Sequence, residues 1–123
     1  MTTEEIYFFD TYALIEILKD SPSYQKYTSA RIITSKLNLY ELFYYLTKTN
    51  NPLAEKLLQD YNNIVIDYGI DAIAFAVNFK LANNSRNISI ADSIGYAIAK
   101  LSGVKFLTGD KEFENMGNVE FVK

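Results

Sequence analysis

Four carboxylates could carry chemistry in this chain: Asp10, Glu41, Asp92 and Asp110. Asp10 follows the apolar run Ile6–Phe9 and Asp110 follows the apolar run Val104–Leu107, so each stands just past a short buried strand. Asp92 lies at the start of a helix that begins at Ile90, and Glu41 lies in the first turns of a helix over Leu37–Lys48. If the four converge, their oxygens form a hard donor set suited to Mg²⁺ or Mn²⁺. Without a cation they would repel, and at least one carboxyl pKa would rise. One ion would activate a water and a second would steady a leaving oxygen, which is the chemistry of phosphodiester hydrolysis. There is no Cys and no His, so disulfides, thiolate metal sites and His-based triads are excluded.

Each acid also has a structural reading. Asp10 can cap the helix that follows it, and Asp110 can cap the short turn Lys111–Asn115. Glu41 follows Asn38 by three and Asp92 follows Ser89 by three, the spacing of a capping box. Helical phase favours a functional role for two of them. In the late helix, Ile90, Ile94, Ala97, Ile98 and Leu101 share one face, and Ser89, Ser93 and Lys100 make a polar edge. Asp92 falls on neither and points with Gly95, Tyr96 and Ala99. Glu41 faces away from the Leu39, Leu42, Phe43, Leu46 stripe, among Asn38, Tyr44 and Tyr45. A carboxylate against semi-apolar surface costs free energy unless a cation or amide donors compensate it.

Thr11 and Thr108 sit beside these acids, where their hydroxyls would hold metal-bound water or close local turns. Arg86 and Lys111 are candidate contacts to backbone phosphates, or plain solvated loop charges. Tyr12, Tyr40, Tyr44, Tyr45 and Tyr96 lie near the acids in sequence; they suit base stacking, core packing or a subunit interface. The run Tyr40–Leu46 is too apolar all round for a solvated helix, which implies a covering partner.

The elements that must position these residues alternate. Strands are expected at Ile6–Phe9, Arg31–Thr34, Ile64–Ile66, Val104–Leu107 and Val119–Val122. Helices are expected over Tyr12–Lys19, Leu37–Lys48, Leu53–Tyr61, Asp71–Asn83 and onward from Ile90, with a short helix or turn at Ser23–Ser29. Nearly all-apolar strands separated by helices predict a three-layer α/β/α sandwich around a mainly parallel sheet of four to five strands. Ligands in such sheets bind beyond the carboxyl ends of the strands, where Asp10 and Asp110 stand. At 123 residues, with no linker or repeat, residues 1–123 read as one domain.

Twelve basic residues against fifteen acidic give a net charge of −3; setting the four site acids aside leaves the rest at +1, so the acidity is largely local. Such a chain is not a polycation that grips nucleic acid unaided. MTTEEIYFFD has no basic segment or long apolar run, and no stretch approaches the roughly 20 apolar residues of a spanning helix, so a cytoplasmic location without membrane contact is expected.

Three stretches together resemble a PIN domain, the nuclease fold of VapC-type toxins: FFDTYALIEIL, TSKLNLYELFYYL and ISIADSIGYAIAKLSGVKFLTGDKEF. They run in that family's order over almost the whole chain, and the last is the most specific. Ser93 departs from the small apolar residue usual after the matching Asp. The resemblance implies an acidic pocket of Asp10, Glu41, Asp92 and Asp110 holding one or two Mg²⁺ or Mn²⁺ ions. It further implies cleavage of RNA, a homodimer and a small antitoxin partner. Alternatives are a PIN nuclease of RNA processing or flap cleavage, a fold-retaining binding domain, and a phosphoacceptor signalling module using Asp67.

Overall fold

The computed structural model describes residues 5–123, so the first four residues of the amino-terminal stretch read above lie outside it. Four short strands form one sheet in the order β2-β1-β3-β4: β1 (Ile6–Phe9), β2 (Arg31–Ile33), β3 (Lys105–Thr108) and β4 (Val119–Phe121). Every pairing is parallel, with Phe8 opposite Ile33 on one side and Phe106 on the other. Five α-helices connect them: α1 (Thr11–Leu18), α2 (Lys36–Lys48), α3 (Ala54–Tyr61), α4 (Ile70–Ala82) and α5 (Ile90–Ser102).

Alternation along the strands divides the core into two layers. Phe8, Ile33 and Phe106 face α4 and α5, and Phe8 stacks on Phe106 with ring centroids 5.7 Å apart. Phe9 and Leu107 face the other way, against Ala13 and Leu14 of α1, Leu42 and Leu46 of α2, and Ala54 of α3. Helices thus cover both faces, which is the expected α/β/α sandwich. Because helices cover both sheet faces, strands of three or four residues suffice.

Three expectations are corrected. Ile64–Ile66 is not a fifth strand: Asn62–Ile64 forms a 3-10 turn, and only Val65 bridges to Thr34. The β-branched run has strand propensity, but the turn bends the chain away from the edge of β2 before a ladder can form. In α5 the buried surface is wider than the sequence phase implies. Ala91 and every residue from Ser93 to Ala99 are buried, whereas Ile90 and Leu101 are exposed. The helix is wedged between the sheet and α4, so small residues face inward. Gly95 lies under the Phe8 ring, where a Cβ would come within 2.7 Å of a ring carbon. Finally, Glu41 belongs to no capping box: the cap of α2 is not Asn38 but Ser35, one turn earlier, whose side chain accepts from the Asn38 amide.

Candidate active site

The sheet reverses its direction of growth at β1, with β2 on one side and β3 on the other, so the switch point lies between the carboxyl ends of β1 and β3. Asp10 leaves β1 there, with its N–H donating to the Leu107 carbonyl at 3.2 Å. Asp110 follows β3 by two residues. The amino end of α5 supplies Asp92 and the second turn of α2 supplies Glu41.

Asp10 is the buried member, 2 % exposed, whereas Glu41, Asp92 and Asp110 are half-buried. One Asp10 oxygen accepts from the Ala13 amide at 2.9 Å, making Asp10 the cap of α1. The other accepts from the Thr108 hydroxyl, and that hydroxyl in turn accepts from the Asp110 N–H at 3.0 Å. Thr108 therefore ties the acid of β1 to the loop that carries the acid of β3. Asp110 caps the turn Lys111–Phe113 by accepting from the Glu112 amide at 3.0 Å. Asp92 completes a capping box with Ser89, as its spacing predicts. The structural roles of these three acids are real, and they orient the carboxylates.

Desolvation pushes the Asp10 carboxyl up to about 8, against the pull of its two hydrogen bonds, and the charges of Asp92 and Asp110 add to the rise. Asp92 is raised to about 6, again mainly by desolvation, with Asp110 and Glu41 contributing. Asp10 and Asp92 thus each feel others of the four. Among the described residues, however, no three acids already stand close enough to form a ready metal cluster. The donor chemistry suits a hard cation: every group is a carboxylate, and an ionised carboxylate keeps lone pairs beyond the one or two bonds it makes here.

A polar relay missed in the sequence fixes Glu41. The Ser35 hydroxyl donates to Asn38 Oδ1 at 2.7 Å, Asn38 Nδ2 donates to Thr11 Oγ1 at 3.2 Å, and Thr11 donates to Glu41 Oε1 at 2.7 Å. Ser35 and Asn38 are fully buried. The signal available was the Ser35–Asn38 spacing, itself an N-cap spacing, which competed with Asn38–Glu41. Thr11 therefore holds an acid, and Thr108 both holds an acid and closes the local turn to Asp110. Of the two cations, Arg86 donates to the Glu112 carbonyl at 2.5 Å and ties its loop to the turn after Asp110. Lys111 is exposed beside Asp110 and forms no ion pair among the described residues.

A parallel α/β/α sandwich with acids gathered past adjacent strand ends defines a carboxylate-site α/β domain. The chain belongs to the PIN domain family, a family of nucleases, whose model matches residues 7–119. That membership removes the phosphoacceptor reading, and Asp67, which would have served it, is exposed and follows no strand. Two solved structures share the fold. A toxin–antitoxin complex from Klebsiella pneumoniae superposes with a TM-score of 0.75 at 17 % identity, covering 93 % of this chain and 95 % of that one. VapBC2 from Rickettsia felis, bound to a DNA fragment from its promoter, gives 0.68 at 20 % identity, covering 94 % and 96 %. No curated protein sequence matches the chain. Among the described residues, no helix is long and apolar enough to cross a membrane.

Proposed function

We propose that this protein is a single-domain, metal-dependent endoribonuclease that hydrolyses RNA phosphodiester bonds in the cytoplasm, as the toxin of a type II toxin–antitoxin pair. The observation that carries this reading is the charge deficit at the switch point. Asp10 is raised to about 8, mainly by burial, with the charges of Asp92 and Asp110 adding to the rise, and Asp92 is raised to about 6, again mainly by burial, with Asp110 and Glu41 adding to it. Mg²⁺ or Mn²⁺, one or two ions, would neutralise that cluster and supply Lewis acidity and an activated water. Asp10, Asp92 and Asp110 would hold the metal directly or through water. Glu41, aimed by Thr11, would be a further ligand or would orient the attacking water. Thr108 keeps the Asp10 carboxylate turned toward the Asp110 loop, and Lys111, exposed beside Asp110, would meet a substrate phosphate. Two structural relatives carry toxin–antitoxin and VapBC names, which supports a small antitoxin as partner; the assembly proposed is a homodimer.

Purified protein with Mn²⁺ or Mg²⁺ is expected to cut RNA, and Asp10→Asn and Asp92→Asn to abolish cutting while the far-ultraviolet circular dichroism is preserved. Cutting by either variant at the parental rate would refute the site assignment.

A further inference from the structure

The outer ridge of α2 carries a regular row that the acid site does not use. Lys36, Tyr40, Tyr44 and Lys48 recur every fourth residue and so form one slanted ridge that turns about 40° around the helix at each step, with neighbours about 6 Å apart. All four are exposed, Tyr40 to 71 % and Tyr44 to 60 %. The buried tyrosines differ: Tyr24 and Tyr96 give their hydroxyls to the Val122 and Gly117 carbonyls, and Tyr27 gives its hydroxyl to Glu120. Lys36 and Lys48 form no ion pair among the described residues. Tyr40, Phe43, Tyr44, Thr47 and Lys48 line an open groove of about 310 Å³. Glu41 lies between Tyr40 and Tyr44 in sequence, about 100° and 60° around the helix from them, so the row runs alongside the residue that α2 contributes to the acid set.

Flat aromatic faces bracketed by a cation at each end match one ligand chemistry. Unpaired bases stack on phenol rings, and the phosphates between them meet ammonium groups. A chain with net charge −3 has few places that could attract a polyanion, and this row supplies two cations in register with two stacking faces. We propose that Lys36, Tyr40, Tyr44 and Lys48 form a track for single-stranded RNA leading to the acid site. The identity of the strand as substrate rests on the ribonuclease reading; the track itself is tested without cleavage.

The test uses the full chain carrying Asp10→Asn, free of divalent metal, and fluorescence anisotropy of a labelled single-stranded oligouridine long enough to span the row. Tyr40→Ala with Tyr44→Ala is expected to weaken binding about tenfold for each ring removed. Tyr40→Phe with Tyr44→Phe is expected to retain affinity, because the ring face and not the hydroxyl is used. Lys36→Ala with Lys48→Ala should flatten the salt dependence by the equivalent of about two neutralised phosphates. Unchanged affinity in the double alanine variant, or no measurable binding by the parent, overturns the track. So does a double alanine variant that binds RNA normally but loses self-association in sedimentation, since the row is then a protein interface. RNA binding that depends on the two tyrosines, in a protein whose unmutated form cuts no RNA with Mn²⁺, supports the track and refutes the nuclease reading.

Discussion

At the scale of single residues, the site depends on groups whose hydrogen bonds have one workable direction. Thr11 has one proton; at 2.7 Å it goes to Glu41 Oε1 in preference to the Asn38 carbonyl at 3.5 Å, and the Asn38 amide occupies its lone pair. Thr11→Val and Asn38→Ala should each slow cleavage. Because they break the same chain of bonds, a double-mutant cycle should show non-additivity of at least about 0.5 kcal/mol. Additive effects on cleavage rate would show that the relay does not act as a unit. Gly109 is constrained by space instead. A Cβ there would meet the Tyr12 ring at 2.1 Å and the Val122 carbonyl at 2.5 Å. Gly109→Ala is expected to cost about 1–3 kcal/mol in urea unfolding and to displace Asp110. A variant of unchanged stability would mean that the loop yields without cost.

At the scale of elements, caps do double duty. Asp10, Asp92 and Asp110 each accept a hydrogen bond from a backbone amide at the start of a helical turn or from its capping residue, so the groups that fix these helical turns are the same carboxylates that would bind a cation. Ser89→Ala removes the acceptor for the Asp92 amide and should cost about 1 kcal/mol, read as a lower denaturation midpoint at unchanged slope. A loss below about 0.3 kcal/mol would mean that the capping box contributes little to α5. α5 also shows where pattern reading falls short. Its spacing of Ile and Leu suggested one buried face, whereas burial extends over Ala91 and Ser93–Ala99 because two layers enclose it. The sequence reading that set Asp92 with Gly95, Tyr96 and Ala99 agrees with the structure, where those three are buried and Asp92 is partly so.

At the scale of the whole molecule, burying acids ties stability to pH, and like charges nearby add to the effect. The folded pKa of Asp10, about 8, lies above its ordinary value of 3.8, so the folded state holds a proton that the unfolded chain releases. That contribution to stability is complete below about pH 4 and is lost as pH rises toward 8. Asp92 contributes in the same sense, over the narrower interval up to about 6. Metal-free protein should therefore lose stability between pH 5 and 8 more steeply than Asp10→Asn, as measured by thermal melts. Equal slopes would show that Asp10 ionises as freely in the folded state as in the unfolded one. Millimolar Mn²⁺ should raise the melting temperature at pH 8 by preferential binding to the folded acids, and should raise it less in Asp10→Asn. No shift in the unmutated protein would refute the metal pocket.

The sequence by itself determined what local chemistry can fix: apolar runs for β1 and β3, the carboxylates that follow them, the Ser89–Asp92 cap, and the alternation that makes a parallel sheet covered on both faces. It also carried the order of motifs from which the PIN family is recognisable. Only the tertiary structure decided which neighbours each side chain meets. It reduced Ile64–Ile66 to a single bridge, moved the cap of α2 to Ser35, and joined Thr108 to Asp10 across 98 residues of chain. Local propensity is set within a few residues. A hydrogen-bond partner or a buried face depends on chain closure over long separations, which spacing along the sequence does not encode.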